Sequence, residues 1–178
     1  MLNATTIKVI AFDVFGTVFD FTGVDRQEIR DYLAAITAPE WRPLKLPESW
    51  EHLKPHGDSE AGISYLRDRF MVVTCSNGPL GLLAKLSKNA DIQWDAIVPL
   101  ELNRVYKPHP KAYMTVCEVL DVAPENVLMV TANESFGDLE ASRALGMQAQ
   151  LIRGGDGPKT IIGLATMLGC CTKYAEEP

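Results

Sequence analysis

The chain has 178 residues, a length that suits one domain with a substantial hydrophobic core. Its net charge is −6 and it contains no basic run, which argues against nucleic-acid and anionic-membrane partners. The longest apolar stretches are strand-sized, so no membrane span is expected, and the N-terminal stretch MLNATTIKVIAF lacks the pattern of a signal peptide, which indicates a cytoplasmic protein.

Hydrophobic periodicity predicts strands that alternate with helices along most of the chain. Short continuous apolar runs are typical of buried strands, and apolar residues at helical spacing are typical of amphipathic helices. In chain order we expect a strand at 7–12, helices at 25–37 and 59–68, a strand at 70–75, a helix at 80–88, a short strand at 95–100, a helix at 111–120, a strand at 127–131, a helix at 138–145, a strand at 148–153 and a helix at 161–168. This alternation favours an α/β fold in which helices cover both faces of a parallel sheet.

Residues 38–57 interrupt the alternation. They contain four prolines and two tryptophans with little periodicity, which indicates an ordered but irregular connector. In the helix before it, Asp25 is the expected N-cap, and Glu28 follows three positions later, as in a capping box. We expect a single domain over residues 1–178, with 20–57 as a small insertion.

Polar residues follow the ends of the predicted strands. In chain order these segments are DVFGT at 13–17, SNG at 76–78, YKP at 106–108, and TAN at 131–133 with Asp138 shortly beyond. Each segment alone has a simpler explanation, because Asp, Ser and Asn are common in loops and helix caps. Together they place carboxylate, hydroxyl, amide and ammonium groups at one edge of one sheet, where α/β proteins bind ligands.

These four segments resemble, in order and in strand context, the four motifs of the haloacid dehalogenase superfamily. Those motifs are Asp-x-x-x-Thr, a Ser or Thr after the second strand, a Lys, and an acidic or Asn-containing loop. The resemblance covers about residues 7–153 and implies a Rossmann-like, three-layer parallel sheet.

Most members of that superfamily transfer phosphoryl groups, and this chain departs from them at two positions. A second aspartate of theirs protonates the leaving alkoxide, where this chain has Phe15. An aspartate of their last motif helps to hold Mg²⁺, and Asn133 takes that position here. Glu134 and Asp138 leave an Mg²⁺-dependent phosphatase open as an alternative, and a non-catalytic scaffold with this fold is another.

The L-2-haloacid dehalogenases are more similar. Their first motif has an aromatic residue where this chain has Phe15, and a halide leaves without a proton. The segments SNG at 76–78 and VYKP at 105–108 resemble theirs, Tyr113 matches a tyrosine of the branch, and Asn133 and Asp138 resemble its last motif.

The resemblance implies a hydrolase that forms a covalent aspartyl ester with a small organic acid and needs no cofactor; Mg²⁺ enters only under the phosphatase alternative. Asp13 would attack C2 of the acid and displace the halide. Lys107 and Thr17 would orient the nucleophile, and Asp138 would assist the attack of water on the ester. The implied catalytic set is Asp13, Thr17, Ser76, Lys107 and Asp138, and the implied substrate-binding set is Phe15, Arg42, Asn77, Tyr113 and Asn133.

The insertion after the first motif is short. Only 62 residues separate Asp13 from Ser76, whereas dehalogenases of this branch insert a large helical cap there, so we expect a reduced cap at 20–57. Trp41-Arg42 falls where a Trp-Arg pair of those enzymes lies, although the simpler interpretation leaves Arg42 in solvent. A homodimer through the cap region is expected by analogy.

Overall fold

The computed structural model describes residues 2–171, and every structural statement below refers to them. The strands and helices are β1 (Val9–Phe12), α1 (Arg26–Ile36), α2 (Ser59–Arg67), β2 (Met71–Thr74), α3 (Leu80–Asn89), α4 (Pro110–Leu120), β3 (Val127–Thr131), α5 (Asp138–Ala144), β4 (Gln148–Leu151) and α6 (Ile161–Met167). Short 3-10 turns occupy Glu48–His52, Leu100–Asn103 and Pro124–Asn126. None of the helices in this part of the chain is long and apolar enough to cross a membrane.

The four strands form one parallel sheet in the order β2-β1-β3-β4. Side chains alternate between its faces, as the pleat of a strand requires. Ile10 and Phe12 pack into a cluster with α2, α3 and α6, whereas Val9 and Ala11 pack into a second cluster with α4 and α5. The predicted three-layer α/β fold is therefore confirmed.

The predicted strand at 95–100 is wrong. The segment runs beside β2 but contributes only isolated parallel bridges at Ala96 and Pro99. The backbone N–H of Val98 donates to Oγ1 of Thr74 at 3.0 Å instead of to a carbonyl, and Pro99 has no N–H to donate. A side-chain acceptor and a proline thus end the ladder before it becomes a regular strand.

Helix α1 is held against the connector by polar contacts. Asp25 is its N-cap, as predicted, and accepts hydrogen bonds from two N–H groups of the first turn. Glu28 does not complete a capping box; it accepts from the indole Nε1 of Trp50 at 3.1 Å and from Oγ of Ser49. Because Trp50 is fully buried, this contact sets how α1 lies on the core.

Residues 20–57 thus comprise α1, the turn at Glu48–His52 and irregular segments between them. No cap-sized helical bundle is present in this stretch. The division of the chain into a single domain with a reduced cap stays a prediction.

Candidate active site

The predicted site residues Asp13, Lys107 and Asp138 meet at the carboxyl edge of the sheet. Asp13 directly follows β1, Lys107 precedes α4, and Asp138 begins α5. The ammonium Nζ of Lys107 donates to Oδ1 of Asp13 at 2.8 Å and to Oδ2 of Asp138 at 2.9 Å. One cation therefore joins two carboxylates that are 125 positions apart in the chain.

The other carboxylate oxygens also have partners. Oγ1 of Thr17 donates to Oδ2 of Asp13 at 2.8 Å, and the phenol of Tyr113 donates to Oδ1 of Asp138 at 2.6 Å. Lys107 and Asp138 are almost wholly buried, whereas the side chain of Asp13 keeps 13% of its surface exposed. Asp13 is therefore the carboxylate that a ligand from solvent can reach.

Burial and charge act in opposite directions on these groups. Burial disfavours the charged form of Lys107, but the carboxylates of Asp13 and Asp138 outweigh it and raise its pKa well above its ordinary value. Burial raises the pKa of Asp13, with the charge of Asp138 adding to this and Lys107 opposing it. Burial and the Asp138 carboxylate raise the pKa of Tyr113, which therefore keeps its proton and donates it.

Thr17 is held by two residues that are distant from it in the sequence, Ala132 and Arg153. Its Oγ1 accepts from the backbone N–H of Ala132 at 2.9 Å, and its carbonyl accepts from Nε of Arg153 at 2.9 Å. Arg153 also forms an ion pair with Asp58 at 2.9 Å. No motif indicated Arg153, because it begins the glycine-rich stretch RGGDGP at 153–158, which is typical of a flexible loop.

Asn77 holds Lys107 in place. Its Oδ1 accepts from the backbone N–H of Lys107 at 2.7 Å, and its Nδ2 donates to the carbonyl of Lys107 at 3.1 Å. Both Asn77 and Ser76 are buried, and Oγ of Ser76 accepts from the backbone N–H of Gly78 at 3.3 Å. In this structure the amide of Asn77 thus positions a catalytic candidate, and its predicted contact with substrate stays a prediction.

Phe15 lies in a cluster of aromatic rings beneath α1. Its ring stacks on Phe21 at 5.5 Å between centroids and meets the rings of Trp50 at 5.1 Å and Tyr32 at 6.0 Å nearly edge-on. Phe15 is 7% exposed, so it borders the site mainly as part of the core. A Cβ at Gly78 would approach this ring to 2.8 Å, which explains the glycine there.

Tyr32 was not among the predicted site residues. Its helical spacing with other apolar residues indicated only a core position, yet the charges of Asp13, Lys107 and Asp138 all act on its phenol. Burial is the main reason that the pKa of Tyr32 is raised, and the charge of Asp13 adds to it. A side chain of α1, within the insertion at 20–57, therefore packs against Phe15 of the first motif.

Asn133 and Glu134 lie on the surface. Oδ1 of Asn133 accepts from the backbone N–H and from Oγ of Ser135, an arrangement that closes a local turn. Within residues 2–171, no group of three or more His, Cys, Asp or Glu side chains has an arrangement suited to a metal ion. The substrate-binding role predicted for Asn133 has no support from its position.

Arg42 also points away from the cluster. Its side chain is 83% exposed and forms an ion pair with Glu40 at 3.5 Å. Only its backbone carbonyl is drawn inward, where it accepts from the phenol of Tyr106 at 2.5 Å, while Trp41 stacks on the Tyr106 ring. The structure thus places Arg42 in solvent, as the simpler interpretation expected.

Comparison with curated proteins finds dehalogenases. The chain is 32% identical over 124 residues to the (S)-2-haloacid dehalogenase of Xanthobacter autotrophicus, a match that covers 67% of this chain and 49% of that protein. It is 28% identical over 116 residues to the haloacetate dehalogenase H-2 of a Moraxella species, covering 64% and 51% of the two proteins. The chain thus spans about half the length of the curated relatives it matches. No protein-family model matches it.

Solved structures agree with this result. An L-2-haloacid dehalogenase superposes with a TM-score of 0.76 at 23% identity, over 93% of this chain and 100% of the other, which shows the fold. The L-2-haloacid dehalogenase of Xanthobacter autotrophicus with chloropropionic acid covalently bound superposes with a TM-score of 0.68 at 25% identity, over 97% and 92% of the two chains.

Proposed function

We propose that this chain, a haloacid dehalogenase-type protein in its fold and motifs, hydrolyses the carbon–halogen bond of a small 2-haloacid through an ester on Asp13. The observation that carries the proposal is the environment of the Asp13 carboxylate. Lys107 and Thr17 hold its two oxygens at 2.8 Å each, and of the two carboxylates bonded to Lys107 it has the more exposed side chain, 13% against 1%.

The first step needs an oriented carboxylate and no acid. An oxygen of Asp13 attacks C2 of the haloacid, a C–O bond forms, and the halide leaves with the electrons of the C–halogen bond. A halide ion needs no proton, so the uncharged ring of Phe15 suits the position where an alkoxide-releasing enzyme requires an acid. Attack in line from Asp13 follows from its fixed orientation.

The second step needs water and a base. Asp138 is held by Tyr113 and Lys107 and assists a water molecule that attacks the ester carbonyl of Asp13. The C2–O bond stays intact, so the product is the 2-hydroxy acid and one water oxygen remains in the regenerated Asp13 carboxylate. The chloropropionic acid covalently bound to the Xanthobacter relative supports an intermediate of this kind.

The test is halide release from L-2-chloropropionate. We expect the wild-type protein to release chloride and the Asp13→Asn variant to fall to background, because the amide is a poor nucleophile. Asp156→Asn is the matched control, since Asp156 is exposed and outside the site, and it should retain full activity. Single turnover in ¹⁸O-water should place the label in the Asp13 side chain, and label found only in the product would contradict the ester.

The phosphatase and scaffold alternatives are distinguished by a second substrate. p-Nitrophenyl phosphate with and without Mg²⁺ should give no phosphate release, since the Lys107 ammonium is already bonded to both carboxylates that a metal ion would need. Mg²⁺-dependent phosphate release would overturn the proposal. A folded protein that turns over neither substrate would favour the scaffold.

A cytoplasmic location, the absence of nucleic-acid and membrane partners, a cofactor-free reaction and a homodimer are further parts of this proposal. The homodimer is checked by sedimentation equilibrium, where a mass near that of one chain over the whole concentration range would contradict it. Activity that survives exhaustive dialysis against a chelator would support a reaction without a metal ion.

A further inference from the structure

Helix α1 presents one side of its surface to the site. Glu28 is fixed by Ser49 and Trp50, Tyr32 lies one turn later on the same side, and Ile36 follows after another turn and is buried. The polar contacts of Glu28 therefore set the direction in which Tyr32 projects.

The ring of Tyr32 is packed between two others. It meets Phe15 at 6.0 Å between centroids and an interplanar angle of 85°, and it meets Trp50 at 5.2 Å and 52°. Phe15 is two residues after Asp13, so this packing brings the Tyr32 phenol toward the nucleophile loop. Tyr32 is half-buried, which leaves part of the side chain open to a ligand.

The polar neighbours of the phenol fit a role as a hydrogen-bond donor. The amide of Asn77 bonds to the backbone of Lys107 through both Oδ1 and Nδ2, and among residues 2–171 no acceptor takes the phenolic proton of Tyr32, which is therefore free for a ligand. Burial, reinforced by the charge of Asp13, raises the pKa of Tyr32, so the proton is retained at any ordinary working pH.

Three of the predicted substrate-binding residues have other partners in the structure. Arg42 is in solvent, Asn133 closes a surface turn, and the Asn77 amide is bonded to the backbone of Lys107. A carboxylate that enters the site with its C2 atom above Asp13 needs a donor that is not already occupied.

We propose that Tyr32 contacts the substrate and confers its preference for an acid, by donating a hydrogen bond from its phenol to the substrate carboxylate. The inference rests on the proposed function for the identity of the substrate. The insertion at 20–57 then takes a direct part in substrate recognition through α1. Tyr32 supplies a hydroxyl group that the first motif lacks, because Phe15 has none.

The test compares Tyr32→Phe with the wild type on a charged and a neutral ligand. D-lactate and D-lactamide, the product that one inversion at C2 gives and its uncharged analogue, are titrated by calorimetry, so the measurement does not depend on turnover. We expect Tyr32→Phe to weaken lactate binding about tenfold and to leave lactamide binding unchanged, since a hydrogen bond to a charged group is lost. The same variant should raise KM for L-2-chloropropionate by a similar factor while kcat changes little.

Tyr65→Phe on α2 is the matched control, because it removes the same hydroxyl from another half-buried tyrosine and should change neither binding constant. Equal losses for both ligands, no loss for lactate, or a wild-type protein that does not bind lactate would each overturn the inference. Halide release with no effect of Tyr32→Phe would leave the proposed function standing without this contact. A selective loss of lactate binding in a protein that releases no halide would support the Tyr32 contact and contradict the proposed function.

Discussion

Lys107 is fully buried and yet charged, and its neighbours explain why. Transfer of an ammonium group out of water is costly unless it is paired, and here two carboxylates accept from it within 3 Å. Because its folded pKa lies above the ordinary value of 10.5, the stability it contributes is fully present below that pH and is lost only above it. The same ion pairs thus stabilise the fold and hold the carboxylate of the candidate nucleophile.

Removal of this cation should destabilise the protein. In Lys107→Met, Asp13 and Asp138 are left buried without a counter-charge, and we expect a loss of about 3–5 kcal/mol at neutral pH. The loss should shrink on acidification, since the pKa of Asp13 is raised and protonation of this carboxyl removes part of the uncompensated charge. Urea unfolding at about pH 8 and about pH 5 measures both effects, with the exposed Lys88→Met as control. A loss that grows toward low pH would contradict the assignment.

The raised pKa of Asp13 predicts how activity depends on pH. Only the carboxylate attacks carbon, and the raised pKa means that it becomes protonated at a higher pH than an ordinary aspartic acid. We expect kcat/KM for L-2-chloropropionate to fall as pH is lowered, with a midpoint above the ordinary value of 3.8. A midpoint at or below that value would show that Lys107 outweighs burial at this carboxylate.

At the scale of elements, α1 was predicted correctly as a helix, whereas its contacts with the connector were not predicted. The periodicity and the Asp25 cap predict the helix, since both depend on residues close in sequence. That Glu28 bonds to Trp50, 22 positions away, depends on the path of an irregular connector that no periodicity describes. Tyr32 was consequently not among the predicted site residues.

The Glu28 contact can be tested on stability. Glu28→Ala leaves the buried indole N–H of Trp50 without its acceptor, and we expect a loss of about 1–3 kcal/mol in the free energy of unfolding. Glu40→Ala removes a carboxylate of the same region whose ion pair is exposed, and it should change stability little. Equal effects of the two changes in urea unfolding would show that the Trp50 contact does not hold α1. If Tyr32 acts as inferred, Glu28→Ala should also raise KM.

At the scale of the whole molecule, two helices of the same layer pack closely at positions that local sequence does not reveal. Helices α2 and α6 come together at Gly62 and Ile161, 99 positions apart. An added Cβ at Gly62 would lie 2.7 Å from Cγ2 of Ile161 and 2.9 Å from its backbone carbon. Only glycine allows the two backbones to approach so closely.

Gly62→Ala should therefore destabilise the fold without acting on the site. We expect a loss of about 1–3 kcal/mol, because the backbone of α6 must shift. Gly81→Ala is the matched control, since Gly81 also lies in a helix but has no atom within 4 Å of an added Cβ, and its stability should be unchanged or slightly higher. A Gly62→Ala protein as stable as the wild type would show that α6 can move aside at little cost. KM should not change in either variant.

The alternation of strands and helices, the position of Asp13, Lys107 and Asp138 at strand or helix ends, and the N-cap of α1 could all be predicted from the chain alone. Each depends on short-range periodicity, on local backbone bonding, or on motifs whose order the chain displays directly. Folding was needed to show which side chains contact the first motif: Tyr32 packs on Phe15 and Arg153 bonds to the carbonyl of Thr17, whereas Arg42 and Asn133 are exposed. The physical reason is that the path of a proline-rich connector and the partners of long polar side chains depend on contacts between distant residues, and these form only when the layers pack.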